Sequence, residues 1–323
     1  MMRRRTFAAS LWASALSPAA MAQAYPTGTI KVIVPYAPGA ATDALARLMS
    51  QALEQALGNK VIVENRAGGG SQIGTKAIAS AAPDGLSLGF IDTAFVINPG
   101  LVGAALPYDT RKDFTPLSLM ATAPFVLLVP SAIPAKTVRE LIELAKSRTE
   151  GLAYGSAGVG SAPHLAGEQL RSATGSQLIH VPYRGGSTVL SDLIAGHVQC
   201  GFTTVPTMLE HIRAGTVRAL AVTGASRAAQ LPDTPTMTEA GYPSVDAAPL
   251  FGLIAPGGLP PPLVERLGHI AATEVKSGPL GKKLLELGFI PIGSTPTEFR
   301  SRIEQEINKW TAVIKAGGIK PNN

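Results

Sequence analysis

Ser161 and His164 stand three residues apart in the run Gly155-Ser-Ala-Gly-Val-Gly-Ser-Ala-Pro-His164, which raises the question of a serine nucleophile beside its base. A serine exposed on a strand-to-helix elbow needs glycine two residues to either side. Ser161 has Val159 and Pro163 at those places, and Ser156 has Tyr154 before it and Gly158 after it. No acidic partner for His164 is evident, so the pair suits a capped helix start better than a hydrolase. The Gly-rich run from Gly68 to Gly74 follows a strand pattern, as a phosphate loop would, but Thr75 stands where the phosphate-binding lysine belongs. The five histidines (164, 180, 197, 211 and 269) show no metal-type spacing with one another or with a carboxylate, and Cys200 is the only cysteine. The residues point to no enzyme, no cofactor and no metal.

Backbone chemistry remains. Two segments are poor in side chains and run from a strand into a helix: Tyr36-Ala-Pro-Gly-Ala-Ala-Thr-Asp43, and the run from Gly155 to His164. A helix N-terminus offers unpaired N–H groups and partial positive charge, which favour an anion, and small residues let the anion approach. Two such loops on separate domains would line a cleft able to hold a carboxylate without reacting with it. The alternative is that both are ordinary tight turns.

The elements that must position these loops alternate between strand and helix. Strand patterns fall over residues 30–36, 60–64, 87–91, 125–130, 152–155, 178–183, 200–203, 218–223 and 252–255. Over residues 43–57, apolar residues at 45, 48, 49, 52, 53, 56 and 57 form a helical stripe that stops at Gly58. Thr137-Val-Arg-Glu140 and Thr295-Pro-Thr-Glu298 read as capping boxes. Short buried strands between helices imply an α/β fold with largely parallel sheets. At 323 residues, 46% of them hydrophobic, the chain can carry two domains. The predicted division is a signal segment over 1–24, a first domain over 25–123 plus 246–323, and a second over 124–245.

The opening residues carry Arg3-Arg4-Arg5, an apolar run and the small residues around Ala22 and Ala24, which together read as an export signal cleaved to leave Tyr25 near the new terminus. Without Arg3, Arg4 and Arg5 the chain has 25 basic and 22 acidic residues, too even a balance to suggest nucleic acid. A periplasmic location and a monomer are expected.

At these loops the sequence resembles the Bug, or TctC-type, extracytoplasmic solute receptors, the binding-protein components of tripartite tricarboxylate transporters. The matching segments include VPYAPGAATDALAR, VIVENRAGGGSQIGT, LPYDTRKDFTPLS, YGSAGVGSAPHLAGE, HVPYRGGS and LPDTPTMTEAGYP, in the family's order along almost the whole chain after Tyr25. The resemblance implies a two-domain periplasmic-binding-protein fold, type II-like, closing on a carboxylate in an interdomain cleft, and membrane transporter subunits as partners. It places ligand contacts on Tyr36, Pro38, Gly39, Ala40, Ala41, Thr42 and Asp43 of the first loop. Further contacts fall on Thr93 and Ala94, on Ser156, Ala157, Gly158, Gly160, Ser161 and His164 of the second loop, and on Tyr183, Thr203 and Thr204.

The chain departs from the family pattern at three points. Ala40 follows Gly39 where two glycines are usual, Thr203-Thr204 stand where some members carry an acid, and Leu250 stands where many carry tryptophan. Threonine at 203 and 204 argues against an amino-acid ligand. Phe95, Phe202, Leu250 and Phe251 are candidates to surround a hydrocarbon body, with core packing the alternative for some of them, and Arg184 is a candidate either to add charge or to stand in solvent. Asp43 is expected to cap the helix and support its loop. These features favour a dicarboxylate or an aromatic carboxylate over a citrate-like acid. A receptor presenting the bound acid to a membrane signalling protein would use the same pocket.

Overall fold

The computed structural model describes residues 25–39, 41–183 and 186–321, so the expected signal segment, Ala40 and Arg184 lie outside the described residues. From its start the chain forms β1 (Ile30–Val34), α1 (Ala41–Leu57), β2 (Val61–Asn65), α2 (Gln72–Ala79), β3 (Ser87–Ile91), α3 (Ala94–Val102) and β4 (Phe114–Thr122). It continues through β5 (Phe125–Pro130), α4 (Val138–Ser147), β6 (Leu152–Ser156), α5 (Ala162–Thr174), β7 (Leu178–Pro182), α6 (Gly186–Ala195), β8 (Cys200–Thr204), α7 (Val205–Arg213) and β9 (Val217–Val222). It closes with β10 (Leu250–Pro256), α8 (Pro261–Lys276), α9 (Pro279–Glu286), β11 (Ile290–Pro291) and α10 (Pro296–Gly317).

The strands form two sheets, in the orders β11-β4-β10-β3-β1-β2 and β7-β6-β8-β5-β9. Both are mixed, which corrects the expectation of largely parallel sheets. β1 runs parallel to β2 and β3, and β6 runs parallel to β7 and β8. β10 is antiparallel to β3 and β4, and β5 is antiparallel to β8 and β9. The reason lies in how the chain changes sheets. β4 passes into β5 of the second sheet through only Ala123 and Pro124, and the chain later returns to the first sheet as β10, which enters between β3 and β4 antiparallel to both.

β4 and β11 are strands that the sequence pattern does not announce. Eight of the nine residues of β4 are buried, so no alternation marks it. Pro116 within β4 is accommodated where the register with β10 shifts between Leu253 and Ile254. Helix starts follow the caps. The Thr137 hydroxyl accepts the Glu140 N–H, and Thr295 with Glu298 completes a reciprocal box with Pro296 in the first turn. Thr137 lacks the reciprocal half, because Glu140 reaches past it to the Lys136 N–H.

Helix α10 is what joins the two sheets. Phe299, Ile303, Ile307, Trp310 and Ile314 make its buried stripe, which packs against α3 and β4 on one side and α5 on the other. One continuous core therefore runs from Ile33 and Phe95 through Trp310 to Tyr154 and Leu165. Among the described residues, no helix is long and apolar enough to cross a membrane.

Candidate functional site

β1 ends at Val34, and the first loop turns through Pro38 and Gly39, whose φ of 85° suits glycine. The helix opens at Ala41, two residues before Asp43, so Asp43 is not its cap. It sits in the first turn and reaches back. Its carboxylate accepts the Gly39 N–H at 2.9 Å, the Asn65 amide at 2.8 Å and Arg47 Nε at 3.0 Å. Asn65 also donates to the Tyr36 carbonyl at 3.0 Å. Burial pushes the Asp43 carboxyl up, but the bonds from Arg47, Gly39 and Asn65 outweigh it and hold the group below the ordinary range. Asp43 is a loop clamp.

Sequence reasoning missed Asp92, which directly follows β3. It accepts the Tyr36 hydroxyl at 2.6 Å, the Ala94 N–H at 2.9 Å and the Thr42 hydroxyl at 3.4 Å. Three groups assigned to a ligand thus converge on a carboxylate of the protein itself. Burial raises the Asp92 carboxyl against the pull of these donors, and burial together with Asp92 drives the Tyr36 hydroxyl well above its ordinary value. The available signal was an acid at the end of an apolar strand, just before a helix. Thr93 is buried, and its hydroxyl accepts the Leu250 N–H at 3.0 Å, which ties β10 to the start of α3.

The second loop leaves β6 at the fully buried Ser156 and enters α5 through Ser161. Ser161 caps the helix by accepting the His164 N–H at 3.4 Å, and its hydroxyl donates to the Gly158 carbonyl at 2.7 Å. Ser156 Oγ accepts the Gly158 N–H at 3.2 Å and lies 2.6 Å from His180 Nε2. His164 is buried beneath the loop, with Nδ1 accepting the Gly160 N–H at 3.0 Å. Ala157 stays half-buried between these anchors. The N–H groups of Gly39, Ala94, Gly158 and Gly160 are therefore held by the protein's own side chains, which narrows the backbone cradle inferred from the sequence. Ser161 and His164 do not pair as nucleophile and base, because His164 Nδ1 is turned to Gly160, although Glu168, an acid the sequence did not pair with His164, stands 3.9 Å from its Nε2.

At the margins, the Tyr183 hydroxyl donates to Asp192 at 2.6 Å, and Thr204 Oγ1 lies 2.7 Å from Thr207 Oγ1. Thr203 and Thr204 close β8 and are half-buried. Phe95, Phe202, Leu250 and Phe251 are all buried in the core. Phe95 meets Phe114 edge-on at 4.9 Å, and Phe251 meets Phe289 at 5.7 Å. Among the described residues, no group of three or more His, Cys, Asp or Glu side chains could hold a metal ion, and burial pushes the Cys200 thiol up to about 12.

The predicted residues share one placement. They lie at the carboxyl ends of β1, β3, β6, β7 and β8, where open α/β sheets place ligand sites. The two sheets' contributions also meet. A Cβ on Gly160 of the second loop would overlap Leu101 Cδ2 on α3, the helix that begins at Ala94.

A profile described as tripartite tricarboxylate transporter family receptor, TctC, matches residues 45–319. The chain belongs to this family. BugT of Bordetella pertussis is 34% identical over 300 residues, covering 93% of this chain and 92% of that protein. The R. palustris protein Rpa4515, solved with adipate, superposes with a TM-score of 0.84 at 34% identity, over 92% of this chain and all of that one. The periplasmic binding protein BugD gives a TM-score of 0.81 at 30% identity, again over 92% of this chain and all of that one. This TctC receptor is thus a solute-binding protein of the Bug type, not an enzyme.

Proposed function

We propose that this receptor captures a small organic acid between its two lobes and delivers it to the membrane subunits of a tripartite tricarboxylate transporter. The observation that carries the reading is the meeting of the two strand-end clusters, with the second loop seated against α3. The moving bodies are residues 25–123 plus 246–323 and residues 124–245, joined at Ala123-Pro124 and at the segment before β10. The signal segment over 1–24 is removed on export to the periplasm, and the mature chain acts as a monomer.

The solute contacts the first loop from Tyr36 to Asp43 and the second from Ser156 to Ser161, with Thr93, Ala94, Tyr183, Thr203 and Thr204 at the edges. A dicarboxylate or an aromatic carboxylate fits best. The adipate held by Rpa4515 supports a dicarboxylate. Asp92 is already engaged by Tyr36, Thr42 and Ala94 rather than free to pair with an ammonium.

Calorimetric titration of the mature chain with succinate, adipate, terephthalate, citrate, aspartate and glutamate tests the ranking. Small-angle scattering on the same samples tests closure. The tightest acid, at 100 times its Kd, should add about 2.7 kcal/mol to unfolding stability and make the molecule more compact. Binding confined to aspartate or glutamate would overturn the ligand class, and tight binding without compaction would overturn closure.

A further inference from the structure

Beneath the second loop lies a cluster that the receptor's function has not yet used. The rings of His164 on α5 and His180 on β7 stack at 3.8 Å between centroids, 21° from parallel. Each histidine holds one anchor of the loop. His164 Nδ1 accepts the Gly160 N–H at 3.0 Å, and His180 Nε2 lies 2.6 Å from Ser156 Oγ, the atom that also accepts the Gly158 N–H. An Nδ1 that accepts a hydrogen bond carries no proton, so the proton of His164 is on Nε2. That nitrogen is 3.9 Å from Glu168 Oε1.

The groups facing the pair come from four elements. Tyr154 on β6 stacks with His164 at 6.4 Å, lies tilted by 33° against His180 at 5.0 Å, and its hydroxyl donates a hydrogen bond to Glu168 Oε1 at 2.7 Å. Arg171 on α5 binds the other Glu168 oxygen at 2.6 Å. Cys200 on β8 is buried beside Tyr154. Gly317 on α10 lies close to the Glu168 carboxylate, where a Cβ on it would come within 3.5 Å of Oε2. Glu168 is therefore already matched by Arg171 and Tyr154, and is not a free counter-charge for an imidazolium.

We propose that His164 is a positioning residue for solute binding: as an uncharged acceptor stacked on His180 it fixes the second loop through Gly160, and a proton on its Nδ1 releases that loop. Protonation would remove the acceptor at Gly160 and place positive charge against the neighbouring ring. Burial pushes both imidazoles down, each to about 4, with His164 adding to the effect on His180, so the pair stays neutral at ordinary pH. The inference rests on the reading that residues 156–161 touch the solute.

Two measurements separate the inference from that reading. In the wild-type mature chain, long-range proton–nitrogen correlation spectra should show His164 at pH 7 with Nε2 protonated and Nδ1 bare. On titration to pH 4, the Gly160 amide signal should move together with the His164 nitrogens. A protonated Nδ1 at pH 7, or a Gly160 amide indifferent to His164, overturns the proposal whether or not any solute binds.

The binding arm uses adipate, succinate and terephthalate at pH 7.5. His164→Asn keeps an acceptor near the position of Nδ1 and should bind within about threefold of wild type, whereas His164→Leu should lose roughly tenfold. Wild-type affinity in His164→Leu overturns the positioning role. If none of the three acids binds the wild type, the receptor reading fails for them, and the spectra still decide the state of His164.

Discussion

Gly160→Ala probes a place where the second loop closely approaches α3. Gly160 has a φ of 74°, and its missing Cβ faces Leu101 Cδ2. Left-handed backbone costs a residue with a Cβ about 1–2 kcal/mol. The overlap with Leu101 adds to this, but the opposing atom is the far end of a flexible, half-buried leucine that can turn aside, so the addition is about 1 kcal/mol. The total is roughly 2–3 kcal/mol, within the stability of a typical domain, so the variant should fold. Leu101→Ala removes the opposing atoms and leaves the backbone strain in place. Alone it should cost about 1–2 kcal/mol of lost packing. Because the alanine at 101 relieves the overlap, the double variant should be less destabilised than the sum of the singles by about 1 kcal/mol. Urea unfolding of all four proteins, followed by circular dichroism, gives the cycle. A Gly160→Ala protein within about 0.5 kcal/mol of the parent, or single effects that simply add, would refute the contact between loop and helix.

Two further outcomes follow from the anchors of the loops. Asp43→Ala strands the Gly39 N–H and the Asn65 amide and should cost about 2–4 kcal/mol, with Asp43→Asn costing less; equal losses in urea titrations would show that the carboxylate is not the clamp. The folded pKa of His164 lies near 4, below its ordinary 6.5, so the stability it contributes is complete above 6.5 and is lost as pH falls from there through 4. That loss amounts to about 3 kcal/mol, and His164→Asn should remove it while leaving the similar contribution of His180 over the same range, so the acid slope should become shallower; an unchanged slope in the variant would sink the assignment.

The sequence revealed most where one local rule decides the structure. β3 and β5 fall on the residues read from their apolar runs, and the capping box at Thr295 forms as written. β4 escaped because it is buried along almost its whole length and carries Pro116, so it shows neither alternation nor a clean β-branched run. The antiparallel partners of β10 and β5 were invisible because strand direction depends on where the chain changes sheets, which no short window contains. In the site, the two bare loops were legible from their small residues, and Asp43 from its place at a helix start. Asp92 was not, since its role appears only when β1 and β3 lie side by side and bring Tyr36 within 2.6 Å of it. Phe95, Phe202 and Phe251, offered as pocket walls or as core, are buried, and hydrophobicity marks a residue as buried but does not say whether a cleft or a core covers it.

The seam between α10 and the two sheets has an optical consequence. The chain contains two tryptophans, and one of them, Trp12, lies in the segment expected to be removed on export. The mature receptor would then keep Trp310 alone, fully buried where α10 meets α3 and α5, with the Lys309 ammonium 4.9 Å from its ring centre. Emission from the native protein would therefore come mainly from a single buried chromophore where α10 packs between the two sheets, next to one positive charge. Any rearrangement there that admits water or shifts that charge would change its colour, so the unlabelled receptor carries its own fluorescent gauge of the packing between α10 and the two sheets.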